Sequence, residues 1–264
     1  MKNREKIIVA LDVPTAAEAR EIISELREEV GAFKIGLQLF TAAGASFVRE
    51  VVEGRREQQQ RQPGVKLFLD VKFHDIPNTV AKAAVEVARL GVWMFNLHAL
   101  GGGEMLRRTV GEVGEVCERE NLARPKIIGV TVLTSADEET LGEVGIEAKV
   151  ETEVLRLTRL AAKCGLDGVV ASPRETRSIR EDLGIDDFLI VTPGVRPTVA
   201  AAAATKTTTA VFAGTNDDQK RVMTSGEAIR AGADYLVIGR PILQAESRIE
   251  AVRKILGEME ADKG

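Results

Sequence analysis

The stretch "LFLDVKFHDIPNT", residues 67–79, is an apolar, strand-like run that ends in two aspartates, a lysine and a histidine. A helical pattern at about 77–90 follows it directly. Side chains two apart on a strand share a face, so Leu67, Leu69 and Val71 form one row and Phe68, Asp70 and Lys72 the other. Charged groups are costly to bury alone. A lysine held between carboxylates such as Asp70 and Asp75 keeps its proton, because each negative neighbour favours the charged form. A structural ion pair accounts for two such charges. A site for chemistry accounts for more, provided that other charged residues converge on the same place.

The order of strand and then helix repeats outward in both directions. Short runs rich in aliphatic and β-branched residues occur at 7–11, 32–35, 66–71, 94–97, 127–133, 168–171, 188–191 and 235–238. Helical patterns occupy about 16–30, 38–60, 77–90, 102–120, 151–164, 174–182, 224–231 and 241–260. Gly91 and Gly165 fall where residues just past a helix end belong, and Pro241 suits a first helical turn. Eight such units in 264 residues predict an α/β fold of one domain, a (β/α)8 TIM barrel over 1–264, rather than two doubly wound sheets. Two stretches break the rhythm. "EGRREQQQRQPG" (53–64) reads as a polar helix end and solvated loop, and "TVAAAAATKTTTAVFAGTND" (198–217) as an extended low-complexity loop after strand 7.

Composition removes several function classes. Lys plus Arg total 36 against 40 Asp plus Glu, a net charge of −4, so no basic excess points to nucleic acid. No stretch approaches the roughly 20 apolar residues of a membrane span. The apolar run after "MKNREK" is too short for a secretory signal and soon meets Asp12, so a cytoplasmic protein is expected. Cys117 and Cys164 sit in helical patterns without metal-ligand spacing and read as buried free thiols of a reducing compartment.

In a barrel of this kind the site forms at the C-terminal ends of the strands. Strand 1 ends in Asp12, strand 2 carries Lys34, strand 3 carries Asp70 and Lys72, and strand 4 ends in His98. Strand 5 runs into Thr134 and Ser135, strand 6 ends at Ser172, and Arg196 follows strand 7 in "TPGVRP". Gly239 and Arg240 follow strand 8 in "IGRP". The convergence of Asp12 and Lys34 with the strand 3 charges favours chemistry over a lone ion pair. Arg196, Gly239 and Arg240, with a helix opening at Pro241, suit a phosphate on the substrate. His74 reads as a structural hydrogen bonder next to Asp75.

These residues resemble the orotidine 5′-phosphate decarboxylase family. "LDVKFHDIPNT" is similar to its D-x-K-x-x-D-I-x-x-T signature, complete at Asp70, Lys72, Asp75, Ile76 and Thr79. Collinear pieces extend the resemblance over essentially the whole chain: "ALDV" (10–13), "FKIGLQLF" (33–40), "VTVLTS" (130–135), "TPGVRP" (192–197), "DDQKRVMT" (217–224) and "VIGRPI" (237–242). The resemblance implies decarboxylation of orotidine 5′-phosphate to uridine 5′-phosphate in pyrimidine biosynthesis, with no cofactor and no metal. It implies that Lys72 stabilises and then protonates a carbanion at C6, with Asp70 beside the leaving carboxylate and Lys34 and Asp75 completing an alternating chain of charge. Asp12 and Lys34 are implied to meet the ribose, Thr134 or Ser135 the pyrimidine, and Arg196, Gln219, Gly239 and Arg240 the phosphate. It also implies a homodimer, with Asp75 and Thr79 contributed across the interface. The 198–217 loop is longer than the family's, and the expectation is that it bulges outward while Gln219 still reaches the ligand.

Two alternatives stand beside this one. A Mg²⁺-dependent sugar-phosphate decarboxylase or synthase on the same barrel expects an acid at the end of strand 2, where this chain has Lys34. A non-catalytic nucleotide-binding barrel predicts binding of uridine 5′-phosphate without turnover.

Overall fold

Strands buried on both faces read as continuous apolar runs, and an all-parallel sheet is the setting that buries both. In the computed structural model, which describes residues 1–54, 56–57, 60–61, 64–196 and 223–261, the eight runs become parallel strands. They are β1 (Ile7–Ala10), β2 (Ala32–Gly36), β3 (Leu67–Phe73), β4 (Met94–His98), β5 (Lys126–Val130), β6 (Gly168–Val170), β7 (Leu189–Pro193) and β8 (Tyr235–Ile238). They pair in chain order, and β8 pairs with β1, which closes the (β/α)8 barrel. The stretch 198–217 and Gln219 lie outside the described residues.

The helices between them are α1 (Ala16–Leu26), α2 (Leu37–Glu53), α3 (Pro77–Arg89), α4 (Gly102–Glu120), α5 (Glu138–Glu143), α6 (Val150–Lys163), α7 (Thr176–Leu183), α8 (Ser225–Arg230), α9 (Arg240–Leu243) and α10 (Arg248–Ala261). Local chemistry marks their ends. Thr15 accepts from the Glu18 amide at the start of α1, and Thr224 and Glu227 form a reciprocal capping box on α8. Gly91 and Gly165 stand just past α3 and α6 at φ 74° and 79°, a conformation that glycine adopts without strain.

Alternation along each strand sorts the core into two layers. Ile8, Phe68, Met94, Ile128, Val191 and Val237 fill the barrel interior. Their neighbours Ile7, Val9, Leu67, Leu69, Phe95 and Leu97 pack against the helices. Phe68 is therefore on the axis side of β3, and Asp70 and Lys72 follow it toward the C-terminal mouth.

The short helix α5 (Glu138–Glu143) answers to no predicted pattern, and the structure departs from the periodic reading in four further places. The helix expected to reach residue 60 stops at Glu53, because Gly54 turns the chain at φ 80°, and a two-residue antiparallel hairpin follows, Arg56–Glu57 against Gln60–Arg61. Within α2, Gly44 at φ 70° breaks the helix into two pieces. Strand 5 ends at Val130 rather than 133. Thr131 then ties both its amide and its hydroxyl to the Val170 carbonyl (3.3 and 2.9 Å), and the chain bends toward the mouth. The last helical pattern divides into the single turn of α9 and the longer α10.

The N-terminal end of the barrel is closed by packing and by carboxylates. Trp93 and Tyr235 meet edge to face at 5.1 Å, with the Lys66 ammonium 5.7 Å from the Trp93 ring centre. Asp167 accepts from the Ile127 amide at 2.8 Å and from Arg124 at 2.9 Å. Asp234 accepts from the Ile190 amide at 2.7 Å and from Arg180 at 2.6 Å.

Candidate active site

The C-terminal mouth opens on a cavity of about 580 Å³. Ala10, Phe68, Val130, Val170 and Val237 form its apolar floor and walls. Four charged side chains enter from the first three strands. Lys34, only 8% exposed, lies 3.3 Å from Asp12 Oδ1 and 3.2 Å from Asp70 Oδ2. On its other oxygen, Asp70 accepts from Lys72 Nζ at 2.6 Å. The order Asp12–Lys34–Asp70–Lys72 thus alternates in sign. Each buried charge has an opposite neighbour, as a low-dielectric setting demands.

The electrostatics follow from that order. Burial alone pushes the Lys34 ammonium toward losing its proton, but Asp70 and Asp12 outweigh this and hold it above the ordinary lysine value. Burial likewise pushes Asp70 upward, while Lys34, Lys72 and the bond from Asn96 overcome it and hold the carboxyl below the usual carboxylate range. Gly36 makes room for the array: a Cβ there stands 3.0 Å from Lys34 Nζ and 3.6 Å from Asp12 Oδ1.

A bulge in β3 allows Asp70 and Lys72 to share the mouth. Leu69 pairs with Phe95 and Phe73 with Leu97, so Asp70, Val71 and Lys72 all stand opposite the single residue Asn96 of β4. Lys72 adopts φ 51°, one of two positive values among the described non-glycine residues, a conformation that costs about 1–3 kcal/mol and persists only where its surroundings enforce it. The Asn96 side chain, fully buried, accepts from the Lys72 amide at 2.8 Å and donates to Asp70 Oδ1 at 2.7 Å.

The other residues singled out in the sequence divide by position. Thr134, Arg196, Gly239 and Arg240 line the cavity with Asp12, Lys34, Asp70 and Lys72. Of the two candidates after strand 5, Thr134 lines it, whereas Ser135 is exposed and outside the lining. Asp75, Ile76 and Thr79 are exposed beyond the rim, outside the lining of their own chain's cavity, and Asp75 accepts from the Ile76 amide at 2.6 Å. Ser172 is buried rather than presented to the cavity, and its carbonyl accepts from the Thr176 hydroxyl at 3.3 Å. His98 stacks on His74 at 5.4 Å, and burial, His74 and Lys72 together push it down to about 4. Gln219 lies outside the described residues.

Sequence reasoning missed Asn96 and Gly36. Asn96 had a readable signal: it is a polar residue in the apolar run "MFNLH", in step with the inward-facing Met94. Gly36 had none beyond its closeness to Lys34.

Comparison with known proteins gives a consistent result. The family described as "Orotidine 5'-phosphate decarboxylase / HUMPS family" matches over residues 5–255. A Syntrophotalea carbinolica protein named orotidine 5′-phosphate decarboxylase is 51% identical over 261 residues, which cover 99% of this chain and 97% of that protein. One of the same name from Geobacter sulfurreducens is 52% identical over 258 residues, covering 98% and 97%. The crystal structure of orotidine 5′-phosphate decarboxylase from Lactobacillus acidophilus aligns with a TM-score of 0.75 at 32% identity, over 96% of this chain and 98% of that one.

Proposed function

Because the chain belongs to the orotidine 5′-phosphate decarboxylase / HUMPS family, we propose that it converts orotidine 5′-phosphate to uridine 5′-phosphate and CO₂, acting throughout its length as one catalytic domain. The observation that carries the reading is the alternating array in the mouth, with one ammonium, Lys72, bonded to Asp70 at 2.6 Å.

The chemistry asks for such an array. When the C6–carboxylate bond breaks, its electron pair stays on C6, in the plane of the ring and out of reach of the ring carbonyls. A fixed positive charge beside that carbon stabilises the developing anion without having to reorganise. Lys72 supplies this charge and then gives one N–H proton to C6, which completes uridine 5′-phosphate and leaves a neutral amine to be reprotonated from water. Asp70 orients Lys72 and faces the departing carboxylate. Lys34, between Asp12 and Asp70, keeps the array neutral as a whole. The reaction as proposed draws on no cofactor and no metal.

Binding roles are carried onto these residues from the family resemblance. Asp12 and Lys34 meet the ribose hydroxyls and Thr134 the pyrimidine edge, with Ser135 as its neighbour. Arg196, Arg240 and Gly239 hold the phosphate, joined by Gln219. Binding energy from that remote phosphate is available to order the mouth and exclude water around the charges. Asp75 and Thr79 serve a second copy's cavity in a cytoplasmic homodimer, a role supported by their exposure outside their own, and Ile76 between them binds substrate. The test is to follow the loss of orotidine 5′-phosphate absorbance with a chelator present. The native chain is expected to turn over fully, and Lys72→Ala to fall by at least ~10³-fold. Full activity in that variant overturns the mechanism.

A further inference from the structure

Asn96 differs from every residue used above. It is buried at 0% exposure, touches both catalytic side chains' residues, and is absent from the cavity lining. It is also the one β4 residue standing opposite the three-residue bulge of β3. In a regular ladder the partner backbone satisfies each amide; in the bulge that pairing is interrupted. The Asn96 side chain takes over, with its carbonyl on the Lys72 amide and its NH₂ on the Asp70 carboxylate. The orientation of the amide is dictated by its partners, since the reverse sets N–H against N–H and oxygen against carboxylate.

We propose that Asn96 is a positioning residue for the decarboxylation assigned above. Its amide holds the Lys72 backbone in its left-handed turn and Asp70 in its rotamer, so that the Lys72 ammonium is aimed into the cavity. The role rests on that assigned activity. A shorter side chain cannot span both partners. A leucine offers neither bond, and an aspartate keeps the acceptor while replacing the donor with a second negative charge beside Asp70. The charged and titratable groups around this point are Asp70 and Lys72 on β3, Lys34 on β2, Asp12 beyond β1, and His98 on β4 with His74 stacked on it. Two carboxylates in one buried site cannot both ionise readily, so one keeps its proton to higher pH. When protonated, an Asn96→Asp side chain reproduces both of the amide's bonds.

The experiment measures kcat and KM across pH for native protein, Asn96→Ala and Asn96→Asp, together with hydrogen exchange of the Lys72 amide. Asn96→Ala is expected to lose ~10²-fold in kcat with KM little changed, the size of effect a misaimed group produces from outside the substrate's contacts. Asn96→Asp is expected to gain a descending limb in kcat as pH rises, absent from native protein, with activity recovering on the acid side. The Lys72 amide is expected to be protected in native protein and to exchange faster in Asn96→Ala. Native-like kcat in Asn96→Ala, or an Asn96→Asp profile parallel to native, overturns the proposal, and the second result decides alone if the alanine variant does not fold. An inactive native chain sinks the assigned activity instead. In that case the exchange data still judge the positioning, and an unprotected Lys72 amide in native protein refutes it.

Discussion

At the N-terminal end of the barrel, Asp167 and Asp234 are each held by an arginine and by the amide of a residue near the start of a neighbouring strand. At the C-terminal end, Asp70 is held by two lysines and an asparagine. The same problem, a carboxylate in a mostly apolar surrounding, has two answers. Arginine presents a rigid fork that cannot surrender a proton, and Arg180 uses it to join Asp234, Gly232 O and Phe188 O in one grip. Lysine is a compact charge on a flexible stem and can act as a proton donor. Around Asp234 the cationic partner fixes geometry, and Asp167 adds Lys126 at 3.3 Å to its arginine; around Asp70 both cationic partners can change protonation.

That contrast breaks most sharply at Lys72. Lys72→Arg keeps the positive charge but removes the transferable proton, and kcat is expected to fall by ~10³-fold or more. An arginine that sustains turnover of orotidine 5′-phosphate shows that charge alone suffices. The opposite end predicts the opposite signature. Asp167→Ala strands the Ile127 amide and is expected to cost about 1–3 kcal/mol of stability, read as a lower urea midpoint, with kcat of the remaining folded protein unchanged. A large loss of kcat there erases the distinction between the two ends.

The remaining effect concerns His98, which links the mouth to solvent pH. Its folded value of about 4 lies below the ordinary 6.5, so the unfolded chain takes up a proton in that interval that the folded chain refuses. The contribution is therefore fully present above pH 6.5 and is lost as pH falls toward 4. Urea unfolding of native protein is expected to lose more stability across that window than unfolding of His98→Asn. Parallel curves refute it.

Much of this architecture was legible in the sequence because a barrel turns one-dimensional order into a shared location. Asp12, Lys34, Asp70 and Lys72 sit at or just beyond the C-terminal ends of the first three strands, and closing the barrel brings those ends to one mouth. What escaped depends on registers and turns. The residues after Gly54 are good helix formers, and the helix stops where Gly54 takes a positive φ. The bulge in β3 leaves no mark on "LDVKF" itself, so the task of Asn96 emerges only once two strands are paired. Whether Thr134 or Ser135 turns inward depends on the bend after Thr131, which periodicity does not encode.

The floor of the barrel also determines what spectroscopy can see. The chain has one tryptophan and one tyrosine, and the two are in contact there. Indole emission therefore samples the end remote from the substrate and ignores the rim. Fluorescence-detected melting followed beside loss of turnover becomes a two-point thermometer: coincident curves mean that rim and floor come apart in one cooperative event, and separated curves time the rim's loosening against an intact base.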